Sequence, residues 1–446
     1  MIPYGGKLEA DSNLGSTIFN ILLTMLLFTC IILLPSYIGL RLSSELQSNN
    51  LDLLFVTTLS PGKIIRGKLT NGIILTILFF SASMPFMTLT YLLRGLDIPS
   101  MFIILAMAFL IVVVAIQFGI LIGTLPGGLV SRAFRFLFGA ILLFISFVWT
   151  MNISSSMLRY GVGSIFGGAE SIELTIFATG LIAVLVILFG MISTASISPD
   201  TSNKNMPMRI LMFVVWILSF LFVYYVGPKS RTLIETWAVI MTVLLSFALI
   251  AGVCERFNWS RRIKRQIPKT RFSRILSFPF FTGAANGITF AVLMITFTCL
   301  LCYFFHDVHV ATTSIRHFLA INLSGIGLYI FCYSMLGLLI RRTFFPNTSG
   351  ARIGFGIFLM IFLAIVMGQL QHIYHYRFGS EIRWWDYLNP FVLFMKQDYR
   401  DSIISMISMM SLVLLLVNLR WYLQCYLKFV PLQPTTNPKV EDKNEP

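Results

Sequence analysis

Eleven apolar runs, each close to the length of a bilayer-crossing helix, dominate this 446-residue sequence. An α-helix rises about 1.5 Å per residue and the hydrocarbon core of a bilayer is about 30 Å thick, so a span needs roughly 20 apolar residues. Runs of about that length lie at 18–40, 69–93, 101–124, 136–151, 174–195, 210–226, 236–254, 285–305, 318–340, 353–370 and 403–419. The fourth is the shortest, and the sixth is bounded by polar loops. Stretches such as 73–80 and 101–114 have no polar stripe, as expected of helices with apolar neighbours on every side.

Composition closes off the soluble alternatives. Hydrophobic residues make up 57% of the chain and charged residues 11%, against about a quarter charged in a soluble domain. So few charges do not coat a soluble globule of this size. The expected fold class is an all-α, polytopic integral membrane protein with about eleven transmembrane helices. The net charge of +15 would suggest phosphate binding in a soluble domain, but in a membrane protein it sets orientation, because basic loops stay cytoplasmic. No nucleic-acid partner is expected.

With the N-terminus placed outside, 23 of the 33 Lys and Arg fall on the cytoplasmic side and 10 on the other. The expectation is therefore N-out and C-in, and the chain is expected in a cell inner (plasma) membrane. The densest basic cluster is Arg261-Arg262-Ile263-Lys264-Arg265, followed by Lys269, Arg271 and Arg274. It reads as a topology anchor that also touches anionic membrane lipids. The stretch 255–284 separates a seven-span front part (1–254) from a four-span back part (285–430), and 431–446 reads as a disordered tail.

The middles of the spans are nearly free of ionisable residues; their polar groups are neutral ones such as Gln117, Asn286 and Asn322. Ion-coupled carriers hold their coupling ion on intramembrane charges, so a transporter of this kind must take its energy from elsewhere. Neutral polar groups among apolar spans suit a lipid, a lipid-linked glycan or an amphipathic drug better than a small ion. No Gly-x-Ser-x-Gly, His-Glu-x-x-His or paired intramembrane aspartates mark an enzyme. No metal site and no cofactor of the chain's own are expected.

One connection carries specific information. After the first span the sequence reads Arg41-Leu-Ser-Ser-Glu45, and then Leu51-Asp52-Leu53-Leu54-Phe55-Val56-Thr57-Thr58-Leu59-Ser60-Pro61-Gly62-Lys63-Ile64-Ile65-Arg66-Gly67-Lys68. Leu51, Leu54 and Phe55 recur at i, i+3 and i+4, giving a short helix one apolar face. Asn49 or Asn50 suits its cap and Asp52 its first turn. Ser60-Pro61-Gly62 ends it, because proline disfavours helical geometry in the residue before it. Lys63, Arg66 and Lys68 then mark the cytoplasmic border, with the second span expected from 69. Gly62 to Lys68 also fits G-x-x-x-x-G-K, but Leu69 stands where a phosphate loop needs Ser or Thr, and no strand leads into it. It is not an ATP site.

Glu45 and the run Leu51-Asp52-Leu-Leu-Phe-Val-Thr57-Thr58-Leu59-Ser60-Pro61-x-x-Ile-x-x-Gly67-Lys68 resemble the segment before a membrane span in permease subunits of type-2 ABC exporters. That family reads as Glu, a few residues, then Leu-Leu-Leu-Thr-Pro-Leu-Ser-x-x-Glu-Ile-x-x-Gly-Lys; Thr58 stands where it often has Pro. The likeness covers about 30 residues, with weaker echoes at 81–95 and in Asn389-Pro390-Phe391. It implies a coupling segment over 41–68 in an ABC-permease-like part, 1–254. The contact to a separate cytosolic ABC ATPase would be made by Glu45, Asp52, Leu53, Leu54, Phe55, Thr57, Thr58, Leu59, Ser60 and Pro61. Membrane entry would follow at Lys63, Arg66, Gly67 and Lys68. ATP and Mg²⁺ would belong to the partner, and the permease would pair as a homodimer or heterodimer. The chain departs from the family's usual six spans and cytoplasmic N-terminus. Two other readings are a non-transporting membrane scaffold that recruits a cytosolic partner, and a membrane-embedded enzyme.

Overall fold

A computed structural model of the chain describes residues 14–47, 60–93, 97–161, 169–199, 202–226, 231–255, 259–305, 313–344, 386–390 and 400–432, with isolated positions between 354 and 366. Among the described residues the chain is helical and has no strand. Among these residues ten helical runs are long and apolar enough to cross a membrane, from Leu14–Leu46 to Arg400–Lys428. The protein is a multi-pass, all-α membrane protein. Ten of the eleven expected spans coincide with these runs; the other, 353–370, falls mostly outside the described residues.

The elements, in order, are α1 (Leu14–Leu27), a π-helical stretch (Phe28–Leu33), α2 (Leu34–Gln47), α3 (Pro61–Leu89), α4 (Ile98–Thr124), α5 (Leu129–Tyr160) and α6 (Ala169–Ile197). They continue with α7 (Met206–Val226), α8 (Arg231–Cys254), the short α9 (Arg261–Gln266) and α10 (Arg271–Ser277), then α11 (Ala284–Phe305), α12 (Thr313–Phe344) and α13 (Arg400–Lys428). Two compact units result: Met1–Ser198 with Leu211–Leu233, and Pro199–Ile210 with Ile234–Pro446.

In the first unit α4 is the central helix, packing against α2, α3, α5 and α6. Its sequence suits that place, since 101–116 is apolar without a break and Ile104, Ala108, Val112, Ile116 and Ile120 are each no more than 1% exposed. Asp97 caps it, accepting from the Ser100 N–H (3.4 Å) and hydroxyl (2.6 Å), with Pro99 in the first turn where its missing N–H costs nothing. The tightest seam joins α4 to α2. A Cβ added at Gly39 would lie 2.5 Å from the Gly119 carbonyl oxygen, and one added at Gly123 would lie 2.5 Å from that of Gly39. Gly119-x-x-x-Gly123 is the small-residue spacing that lets membrane helices approach backbone to backbone.

Pro35 stands two residues past the end of the π-helical stretch. Proline has no N–H to give the carbonyl four residues back and clashes with it. The wider π turn, with the Leu34 N–H bonded to the Thr29 carbonyl, carries the helix through that interruption.

Two elements show where the structure departs from the hydropathy reading. The second span begins at Pro61, eight residues before the expected 69, so Lys63, Arg66 and Lys68 stand in its first turns. Ser60 is extended (ψ 146°) and its carbonyl accepts from Lys63 N (2.9 Å) and Ile64 N (3.4 Å). The expected fourth span, 136–151, lies within the much longer α5. Charged residues near a helix end interrupt the hydropathy without interrupting the helix, and Arg135 shows how. Its guanidinium turns back to the carbonyls of Leu125 (2.9 Å) and Pro126 (3.3 Å) and to the Ser131 hydroxyl (2.7 Å), satisfying acceptors left open where α4 ends.

Candidate functional site

The α2–α3 connection holds the residues singled out in the sequence. Asp52, Leu53, Leu54, Phe55, Thr57, Thr58 and Leu59 lie outside the described residues. The structure places their flanks. Glu45, in the last turn of α2, accepts from Lys68 Nζ at 2.6 Å and from Arg41 Nε at 3.2 Å, and Arg41 also donates to the Tyr37 hydroxyl at 3.3 Å. Arg41 and Glu45 stand at i and i+4 on α2, where side chains share a face; Lys68 comes from α3. Two residues 23 apart in sequence thus tie together the helix ends that bracket 48–59.

The other entry residues divide by burial. Ile65, between the basic positions, is 2% exposed within the core of the first unit, which fixes the rotation of α3. Lys63, Arg66 and Gly67 consequently face outward. Arg66 Nε donates to the Gly62 carbonyl at 3.2 Å. A Cβ added at Gly67 would meet nothing within 4 Å. Gly62–Lys68 is helical throughout, so these residues do not form the open backbone cradle of a phosphate loop.

The second unit holds a polar site that the sequence reading missed. Arg209, in the first turn of α7, is 2% exposed and ion-pairs through Nη2 with Glu255 Oε1. Its Nη1 donates to the carbonyls of Pro279 (3.1 Å) and Phe281. Glu255 Oε2 accepts from the Gly283 N–H at 2.6 Å. Burial raises the Glu255 carboxyl above its ordinary range; the Arg209 charge, the Gly283 N–H and side-chain hydrogen bonds from Arg209 and Asn205 oppose that shift. Arg341, near the end of α12, donates to the backbone carbonyls of Val253 (2.8 Å) and Glu255 (2.9 Å), where α8 ends. Asn203 Oδ1 accepts from Thr282 N (2.9 Å) and Oγ1 (2.7 Å), and Trp259 Nε1 donates to the Thr282 carbonyl (2.6 Å).

Close backbone approach makes room for this cluster: a Cβ at Gly287 would strike Gly252 Cα at 2.6 Å and Arg209 Nη2 at 2.6 Å. In the sequence, Arg209 and Glu255 are merely charges at span ends, 46 residues apart. Their only shared signal is that both fall on the same side of the expected topology.

Of the neutral polar residues in the spans, Asn286 donates to the Phe278 carbonyl at 2.7 Å. Gln117 and Asn322 are 0% and 1% exposed, and neither amide makes a hydrogen bond among the described residues. Asn389 is buried beside a one-turn helix, Asp386–Leu388, whose carbonyls at Tyr387 and Leu388 accept from the hydroxyls of Tyr329 (2.8 Å) and Tyr333 (2.6 Å) on α12.

Comparison with known protein families, with curated proteins and with solved structures finds no match to the chain. Architecture and site geometry define its class, a multi-pass helical membrane protein.

Proposed function

We propose that the chain is the membrane-spanning permease subunit of an ATP-driven exporter of the ABC type, working with a separate cytosolic ATPase that docks on the α2–α3 connection. In this reading the chain pairs with a second permease, lies in the plasma membrane with its N-terminus outside and C-terminus inside, and has no nucleotide site of its own. ATP and Mg²⁺ act on the partner.

The observation that carries the reading is the Lys68–Glu45 pair. It draws together the ends of two helices long and apolar enough to be spans, on either side of the segment whose sequence resembles a coupling helix. A push on a segment held in that way is delivered to both helices at once. From α2 it reaches α4 through the glycine seam, where backbones touch and no flexible side chain absorbs the displacement.

The test is purification of the tagged chain from mild detergent, with mass spectrometry of what accompanies it. A stoichiometric ATPase is expected, and its retention should be lost in the Leu54→Asp/Phe55→Asp double variant while the permease itself stays monodisperse. Absence of any ATPase after crosslinking at 52–60, or its full retention by the double variant, would overturn the reading.

A further inference from the structure

The basic connection between α8 and α11 folds into two short helices whose apolar residues point in different directions. Ile263 in α9 and Ile267 just past its end are each 3% exposed and pack with Phe278, Phe281 and Phe429. Ser260 caps α9 by accepting from Ile263 N (3.3 Å), and Leu432 N donates to the Lys264 carbonyl (3.3 Å). This helix is fixed to the second unit by both packing and backbone bonds.

In α10 the arrangement is reversed, and none of its residues is buried. Phe272, Ile275 and Leu276 are 79%, 57% and 65% exposed and stand at i, i+3 and i+4 on one face. α10 is not one of the spans, so the bilayer interior does not account for that face. Cations flank it along the chain: Lys269 and Arg271, both exposed, and the half-buried Arg274 on α10 and its approach, with Arg262 and Arg265 exposed on α9. No Asp or Glu occurs from 256 through 306.

We infer that the α9–α10 elbow is a binding surface for anionic phospholipid. The α10 apolar face inserts at the boundary between headgroups and acyl chains, and the surrounding Lys and Arg hold lipid phosphates. An exposed apolar triad rimmed by cations is the composition of an interfacial helix, and each Lys or Arg near an anionic leaflet adds to the attraction. The absence of acidic residues favours phosphate over a protein surface, which would present charges of both signs. A helix too short to anchor alone is adequate here, because α9 and the Phe278–Phe280 turn already hold its two ends. The inference does not depend on the transport reading.

The test uses the full chain. A photoreactive benzoylphenylalanine placed at Phe272 in cells should crosslink to phospholipid, seen as the mass gain of one lipid; a crosslink to a protein instead would overturn the inference. In nanodiscs of phosphatidylcholine with phosphatidylglycerol, the wild type should retain phosphatidylglycerol preferentially on transfer to detergent. The Arg262→Gln/Arg265→Gln/Arg271→Gln variant should lose about tenfold or more of that preference. Equal retention of the two lipids by the wild type would also overturn the inference. Should the triple variant aggregate, wild-type retention measured against salt serves instead. The preference must fall as salt rises, and a salt-insensitive preference refutes a phosphate contact.

Discussion

In the first unit Lys68 meets Glu45 with 27% and 39% of the two side chains exposed; in the second, Arg209 meets Glu255 with 2% and 9% exposed. Both pairs join the end of one span to the start of another, yet their surroundings give them opposite properties. Water screens the first, and an exposed pair contributes about 0–1 kcal/mol. It can open and close at little cost, as a joint beside a moving segment must. The second is walled in by carbonyls, an amide N–H and a glycine seam. Breaking a buried pair by removing one partner costs about 3–5 kcal/mol, because the survivor stays charged and unpaired. The molecule has placed its yielding contact where the proposed input is and its unyielding one in the other unit.

The largest way to break this contrast is Arg209→Met. It strips Glu255 of its cation and leaves the carboxylate with the Gly283 N–H and the Asn205 side chain, so a loss of about 3–5 kcal/mol is expected. Apparent melting temperature in mild detergent reads it. Glu255→Gln should cost less, since the guanidinium keeps the Pro279 and Phe281 carbonyls and the amide imitates the protonated acid. The sign of the pH effect follows from the raised Glu255 carboxyl. From the unfolded value near 4.5 up to the raised value, the folded chain binds more proton than the unfolded chain, so wild-type stability falls as pH rises through that window. The Gln variant should not show this fall. Equal pH slopes for the two proteins would mean that Glu255 stays ionised throughout.

Next in size is Gly119→Val in the seam of the first unit. Its Cβ would overlap the Pro35 carbonyl, and backbone cannot move aside as a side chain can, so about 1–3 kcal/mol is expected, as for other overpacked interiors. Gly128→Ala is the control. Nothing lies within 4 Å of a Cβ there, and since Gly128 caps α5 the substitution should cost no more than about 1 kcal/mol. Similar losses in both would mean that glycine flexibility, and not close approach, matters in this unit.

Lys68→Met should cost no more than about 1 kcal/mol, and its gap from wild type should close at high salt. A cost as large as that of Arg209→Met would erase the distinction between the two pairs.

How much of this was legible in the sequence follows the same division. Hydropathy located the spans because burial in lipid imposes an unbroken apolar run of fixed length. It misplaced the starts of α3 and α5 because Lys63, Arg132 and similar residues are compatible with helix while being incompatible with hydrocarbon. Glu45 stands out only through a resemblance and Lys68 only as a charge at the membrane border, and their ion pair depends on the rotation of α3, which Ile65 fixes. Arg209 and Glu255 left no local trace: pairing them requires knowing that α7 and α8 bring their ends together, a property of packing and not of either segment. The Gly119–Gly123 spacing was present in the chain, but small residues are common in apolar helices, and only the partner backbone at Pro35 and Gly39 gives the spacing meaning.

The one substitution expected to hold or raise stability is the most informative about function. Gly67 lies in the second turn of α3, exposed, with open space where a Cβ would go. Nothing within the chain requires glycine there, and glycine in a helix is about 1 kcal/mol worse than alanine. Gly67→Ala should therefore leave the first unit as stable as wild type or raise it by up to about 1 kcal/mol. If a separate ATPase docks across the α2–α3 connection, its surface must come close to the outward face of α3, and a glycine suits such an approach. The same substitution should then weaken retention of the ATPase in the purification while the melting temperature holds or rises. Opposite movement of stability and association in one variant is a signature that a purely internal role cannot produce. If association is unchanged, the docking surface ends before residue 67, and the Glu45–Lys68 joint marks its edge.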